Sequence, residues 1–373
     1  MADDLTGALD AASQFAHRRR AVRVFWEGTG SLPISGSYAF DTETRESEEE
    51  TAVNRVSRAS RMFGSGELCF KKVDSLLRGN SAAEIATCFA RGGFRSAIVA
   101  PAFAAQQRIT RGGRQYYRDS PKKKWRAVTC DLATALREWG AGPCLVPHPD
   151  RLEGRGLFIC DAESDDDLAA IVGREALLEP PVLWCGSAGL AMALMRSGGE
   201  ATGVKPRSPL FLVIGSDAPN SLCQVAVLKR RNRECVVSVR DHGREEGRLV
   251  ASKLVERLSH SRAAALVFEF AARTPRTIAG RTISRVLGQL LPCLPRPGSV
   301  LVSGGETLHR LCRAAGATSL SVVGDLYPGV PVSRFRDGAW KNVALITKSG
   351  AFGDRDMLCD AIDRFRENFH GGP

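Results

Sequence analysis

The chain has 373 residues, 43% of them hydrophobic, with 37 glycines and only 7% aromatics. That is ample for two cores, and the Gly-rich, aromatic-poor balance suits an α/β protein with tight strand-to-helix turns. The net charge of +11 would attract nucleic acid, acidic membranes or anionic small molecules. Its longest runs, Arg18–Arg20 and Lys122–Lys124, lie in no zinc-finger, bZIP or RRM pattern, so they read as solvated surface charge. The eleven cysteines never fall at C-x-x-C spacing and the six histidines include no H-x-x-x-H. Reduced thiols in a cytoplasmic protein are expected, not a disulfide frame or a zinc site. Asp3 and Asp4 stand where a signal peptide needs positive charge, and the apolar stretch Ala263–Ala272 is short and broken by Glu269, which argues against a membrane partner.

Strand-like runs alternate with helical patterns along the chain. Expected strands are Val22–Trp26, Ser37–Phe40, Leu68–Lys72, Ala97–Ala100, Leu157–Cys160 and Val182–Cys185, then Leu210–Ile214, Val236–Val239, Ala265–Phe268, Ser299–Val302, Ser319–Val322 and Val343–Thr347. Amphipathic helices are expected at Glu48–Phe63, Asp165–Leu178, Glu245–Leu258, Thr307–Ala315 and Asp354–Phe369. This order predicts an α/β fold of two domains, each a largely parallel sheet flanked by helices. The Gly- and Pro-rich stretch Arg196–Pro209 reads as a linker, giving domains over residues 1–204 and 205–373.

Four groups of residues could carry chemistry. Asp3 and Asp4, in A-D-D-L-T-G, could orient a hydroxyl, take its proton or hold Mg²⁺; the residues alone favour the plainer reading, that one of them caps the helix. Lys71-Lys72-Val73-Asp74-Ser75-Leu76-Leu77-Arg78-Gly79-Asn80 follows a strand, where open α/β sheets bind ligands. Arg78 could fork onto a carboxylate while Lys72 neutralises a further oxygen; the alternative is a charged loop with Asn80 capping the next helix. Pro101-Ala102-Phe103 followed by Arg108 to Gly113 reads as a loop with cationic and hydroxyl groups. In the second half, Gly215-Ser216, Ser303-Gly304-Gly305-Glu306-Thr307, Tyr327–Pro331 and Thr347–Gly353 are Gly-rich turns after strands. Such turns expose backbone N–H groups to phosphate, and several in one domain point to a nucleotide site. None matches a Walker A loop or a Rossmann fingerprint.

In this order the motifs resemble the four-carbon acid sugar kinase family: A-D-D-L-T-G, K-K-x-D-S-x-L-R-G-N, P-A-F, G-S-A-G-L-A at Gly186–Ala191, S-G-G-E-T, P-G-V-P and K-x-G-x-F-G. The resemblance covers nearly the whole chain. It implies an N-terminal sugar-acid domain, a C-terminal nucleotide domain, and ATP-dependent phosphorylation of a terminal hydroxyl of threonate, erythronate or an oxo form. The substrate site would draw on Asp3, Lys72, Ser75, Arg78 and Arg108, with Asp4 and Asp74 as candidate catalytic carboxylates. The nucleotide site would draw on Ser216, Gly304, Gly305, Glu306, Thr307 and Gly350, with Mg²⁺ accompanying ATP. Expected partners are a small sugar acid and, compatibly, further copies of the chain, with no nucleic acid and no membrane.

The sequence departs from the family at Leu76, Gln107 and Ala351, and it begins at A-D-D-L-T-G with no strand ahead of it. The expectation is that Asp3 and Asp4 sit on a frayed terminus and that the N-terminal domain is weakened. A degenerate protein that binds sugar acid and nucleotide without catalysis is therefore a rival reading. A nicotinamide-dependent dehydrogenase and a nucleic-acid binder are more distant ones.

Overall fold

The computed structural model describes the chain except residues 17–20, 27–35, 64–65, 196–206, 241–246, 272, 328 and 368–373. In chain order the first elements are α1 (Leu5–Phe15), β1 (Val22–Trp26), β2 (Tyr38–Asp41), α2 (Glu49–Ser60), β3 (Cys69–Lys72), α3 (Ser81–Arg91), β4 (Ser96–Ala100), β5 (Arg108–Arg111), β6 (Arg114–Tyr117) and β7 (Arg126–Ala127). There follow α4 (Leu132–Glu138), β8 (Cys144–Val146), β9 (Gly156–Cys160), α5 (Asp165–Val172), β10 (Val182–Gly186) and α6 (Ala188–Leu194). The remainder comprises β11 (Leu210–Ile214), α7 (Pro219–Arg231), β12 (Val236–Arg240), α8 (Gly247–Ser261), β13 (Ala263–Glu269) and α9 (Arg276–Leu290), then β14 (Ser299–Ser303), α10 (Gly305–Ala314), β15 (Ser319–Tyr327), β16 (Val330–Phe335), β17 (Ala344–Lys348) and α11 (Met357–Glu367).

By compactness the chain forms two units, Met1–Phe15 with Ala39–Glu200, and Ala16–Tyr38 with Ala201–Pro373. The expected linker lies almost wholly outside the described residues. Both units are α/β, as the alternation of strand and helix predicts.

In the first unit the sheet runs β3-β10-β4-β9-β8, and every pair in it is parallel. Its central strands are apolar on both faces, as a sheet covered on both sides requires. Val99, Leu183, Ile85 and Leu136 pack on one side, and Ile98, Trp184, Leu168 and Leu190 on the other. Each fully buried Leu or Ile contributes about 1.5–3 kcal/mol of transfer free energy. The α5 helix opens with a capping box between Ser164 and Asp167, in which the Asp167 carboxylate satisfies a backbone donor.

The region from Arg108 to Gly113 corrects the sequence reading. It is not a loop but a hairpin, β5 with β6, extended by β7 into a small antiparallel sheet. The two residues at its tip, Gly112 and Gly113, both have positive φ, 59° and 73°. That is the backbone a two-residue hairpin turn demands.

In the second unit the sheet includes β12-β13-β11-β14-β17 in parallel, then β16, β15 and β1 antiparallel. β1 pairs with β15, Val22 opposite Val322 and Phe25 opposite Ser319. The P-G-V-P segment, read as a turn after a strand, stands between two antiparallel strands: Gly329 lies in the turn and Val330 already opens β16, which runs back along β15. Pro331 is tolerated in that strand because it faces Asp325, where the ladder is irregular.

Candidate functional site

The start of the chain is not frayed. The Ala2 amide donates to Phe40 O (2.8 Å), the Thr42 amide donates to Ala2 O (2.9 Å) and the Lys72 amide donates to Met1 O (2.8 Å). Backbone hydrogen bonds on both sides thus fix the two residues ahead of Asp3, which is 3% exposed.

Asp3 and Asp4 close on one arginine. Arg45 Nε donates to Asp3 Oδ2 (2.9 Å) and Nη2 to Asp3 Oδ1 (2.7 Å), while Nη1 donates to Asp4 Oδ2. The other Asp4 oxygen accepts the Gly7 amide (2.6 Å), so Asp4 does cap α1, as the plain alternative held. A side chain at Gly7 would strike Asp4 Oδ1 at 2.8 Å, which is why this turn needs glycine.

The two neighbouring carboxyls are driven apart. Burial pushes Asp3 up, but Arg45 and then Lys71 outweigh it and hold it at about 2. For Asp4, burial together with the Asp3 charge outweighs Arg45 and raises it above the ordinary carboxylate range. Adjacent acids pushed in opposite directions are the usual basis for dividing acid and base roles.

The second motif joins this cluster. Burial pushes Asp74 up, but Arg45 and Arg78 outweigh it and keep it below the ordinary range. Asp74 Oδ1 accepts the Leu76 amide (3.0 Å) and Oδ2 accepts from Arg78 Nε. The Arg78 side chain is 62% exposed, so its free nitrogens face solvent. Behind the cluster, Lys71 and Glu84 form a buried pair at 2.6 Å. Burial opposes the Lys71 charge, but Glu84 and then Asp3 outweigh it and raise its basicity. Lys72, also buried, donates to Val73 O (3.0 Å).

Loop contacts hold these groups in place. Asn80 does not cap α3 with its side chain; its Nδ2 donates to Thr44 O (3.1 Å) and Ser47 O (3.0 Å), tying the Arg45 loop to the Asp74 loop. Gly79 (φ +76°) lies so near Arg45 that a Cβ would sit 2.7 Å from its carbonyl. Buried Gln115, on β6, donates to Ser75 O (2.8 Å) and Pro101 O (3.2 Å). Arg108, at the head of β5, donates to the carbonyls of Gln106 (2.6 Å) and Gln107 (3.1 Å). Burial lowers its pKa, with Asp74 the largest opposing influence. Thus Asp3, Asp4, Lys72, Asp74, Ser75, Arg78 and Arg108 all belong to the first unit, four of them, Lys72, Asp74, Ser75 and Arg78, at or just after the carboxyl end of β3. The G-S-A-G-L-A motif is scaffold: Ser187 Oγ donates to Ala102 O (2.7 Å) and accepts the Gly189 amide (3.1 Å).

In the second unit the glycine turns converge. β11, β14 and β17 are adjacent, with Ile214 opposite Ser303 and Ser303 opposite Lys348. A Cβ on Gly304 (φ +107°) would meet Ser216 Cβ at 3.3 Å and Ser216 N at 3.4 Å. A Cβ on Gly350 would collide with Ser216 Oγ, and one on Gly215 with Thr307 Oγ1. Ser216, Gly304, Thr307 and Gly350 therefore form one close-packed cluster. Gly305 begins α10, and Glu306 points along that helix to Arg310. The helix N-terminus adds donor N–H groups and a positive end.

Sequence reasoning missed Arg45, Asp41, Gln115 and, as a site residue, Lys348. The first two stand in D-T-E-T-R directly after a strand-like run, a signal that could have drawn attention. Asp41 is buried beside the cluster, and burial raises its pKa well above the ordinary range.

Residues 1–129 match the family described as Sugar-binding N-terminal domain and residues 211–358 the one described as Nucleotide-binding C-terminal domain. The chain is 31% identical to D-threonate kinase of Cupriavidus necator, covering 99% of this chain and 98% of that protein. It is 24% identical to D-erythronate kinase of Heliobacterium modesticaldum, covering 97% and 95%. A solved Salmonella typhimurium structure shares the fold at a TM-score of 0.73 and 20% identity, covering 96% of this chain and 97% of that one.

Proposed function

The chain belongs to the four-carbon acid sugar kinase family, and from that premise we propose that it transfers phosphate from ATP to the terminal hydroxyl of a four-carbon acid sugar. The substrate class is threonate, erythronate or 3-oxo-tetronate, as in the relatives. The sugar acid binds the first unit and the nucleotide the second, with the boundary between their segments near residue 205.

The observation that carries this reading is the Arg45-centred cluster. It offers a carboxylate with raised proton affinity, Asp4, beside two that stay ionised, Asp3 and Asp74. Phosphoryl transfer asks the protein mainly to position groups and spread charge, and one carboxylate accepts the hydroxyl proton. Asp4 suits that task better than Asp74, because its proton affinity is raised while Asp74 is held below the ordinary carboxylate range. Exposed nitrogens of Arg78 fork onto the substrate carboxylate, with Lys72 and Arg108 adding positive charge. In the second unit, Ser216, Gly304, Gly305, Thr307 and Gly350 leave backbone donors uncovered by side chains, which fits a polyphosphate. Mg²⁺ accompanies the nucleotide and neutralises its phosphates.

The test is an ADP-release assay over threonate, erythronate and 3-oxo-tetronate. The expected result is acid-dependent ADP formation with at least one of them. If the protein binds both acid and ATP by calorimetry yet releases no ADP with any of the three, the degenerate binding protein is the correct reading.

A further inference from the structure

Lys348 ends β17, and its side chain is enclosed although it carries an ammonium group: the residue is 1% exposed. Nζ donates to Ser303 Oγ (3.1 Å), which is hydrogen-bonded in turn to Ser221 Oγ on α7 (3.2 Å). Among the described residues it forms no ion pair. The titratable groups on the surrounding elements are otherwise engaged or out of reach. Glu306, in the first turn of α10, pairs with Arg310, and the Asp354 carboxylate accepts the Asp356 amide. Asp217, after β11, is exposed and makes no ion pair with Lys348. Burial alone acts on the Lys348 amine, and it brings the pKa down to about 8.

A buried charge normally has a partner, because desolvating it alone is expensive. The place of this one is informative. Ser303 and Lys348 are register partners. The Lys348 carbonyl accepts the Gly304 amide (3.3 Å), and Gly304 leads into α10. The cation thus lies at the strand ends from which the glycine cluster springs.

We propose that Lys348 is the fixed cation of the nucleotide site, supplied with its counter-charge by the polyphosphate of the bound nucleotide. This rests on the reading of the second unit as the nucleotide site. The protein holds a desolvated positive charge in readiness, and the ligand completes the pair. Bound phosphate favours the protonated amine, so binding draws a proton onto Lys348 wherever the free amine is partly neutral. Affinity is then fully present below pH 8 and declines as pH rises through 8.

Calorimetry with ATP and Mg²⁺ at pH 8, in two buffers of different ionisation enthalpy, reads that proton directly. At this pH the nucleotide phosphates are already ionised, and about half a proton should be taken up per site. Lys348→Met should abolish the uptake, weaken ATP binding about tenfold or more, and melt at or above the wild-type temperature, since it removes a lone buried charge. A wild type that binds no nucleotide overturns the reading of the site itself. A wild type that binds ATP without proton uptake, or a folded Lys348→Met that binds it equally well, overturns the role of Lys348 alone. The wild-type measurement needs no variant to fold.

Discussion

The two units build their polar sites in opposite ways. In the first, charges are already matched: Arg45 with Asp3 and Asp4, Arg78 with Asp74, Lys71 with Glu84. In the second, the cluster is made of glycines, small hydroxyl side chains and a helix N-terminus, with one buried lysine that pairs, among the described residues, with a serine and no carboxylate. A matched network fixes side-chain positions at the cost of sensitivity to any single deletion. A glycine cradle leaves backbone donors for the ligand and is sensitive to added bulk instead. The contrast suits a small polyhydroxy acid that must be oriented in one place and a polyphosphate that must be approached closely in the other.

The largest expected effect tests the matched network. Arg45→Met leaves Asp3 and Asp4 without their shared partner in a buried position. It should cost about 3–5 kcal/mol, seen in denaturant titration as early unfolding of the first unit. The same network predicts a pH dependence. The Asp3 contribution is fully present above the unfolded carboxylate pKa of about 3.9 and is lost as pH falls through about 2. Unchanged stability in Arg45→Met would mean the ion pairs are incidental.

Next comes Asp4→Asn, which keeps an oxygen to accept the Gly7 amide and so preserves most of the α1 cap. As the proton acceptor, Asp4 predicts a fall in kcat of about 10²–10⁴ with the melting temperature nearly unchanged. In the wild type, kcat should fall on the acid side as Asp4 protonates, above the ordinary carboxylate range. Retained kcat in the variant moves the role to Asp74 or away from side chains altogether.

A smaller effect is expected from Arg78→Lys, because Arg78 is largely exposed. Lysine keeps the charge but loses the planar fork. KM for the acid should rise by about tenfold, for a loss of about 1.5 kcal/mol, with KM for ATP unmoved. A change confined to the ATP value would place Arg78 at the phosphate instead.

Much of this architecture was legible in the sequence for a physical reason. Apolar runs such as Leu210–Ile214 and Val182–Cys185 are buried on both faces, and their pattern announces it. The residues of the second motif also stood out, because several polar types crowd the end of one strand, β3. The hairpin of β5 and β6 was not. Its strands are four residues each and rich in arginine, so little hydrophobic alternation marks them. β16 was hidden by Pro331, which ordinarily argues against a strand. Arg45 was hidden because its partners lie more than forty positions away, and no local spacing reports such a pair. The pairing of β1 with β15 is hidden in the same way, since only the folded chain brings Val22 opposite Val322.

The division of labour between the two units is tested most directly by calorimetric titration of Gly304→Val with ATP and, separately, with the accepted tetronate. Valine at φ +107° is strained and would press on Ser216, so ATP affinity should be lost while tetronate affinity stays within about twofold of wild type. Equal loss of both ligands in a folded variant, or ATP binding at wild-type strength, would contradict the account.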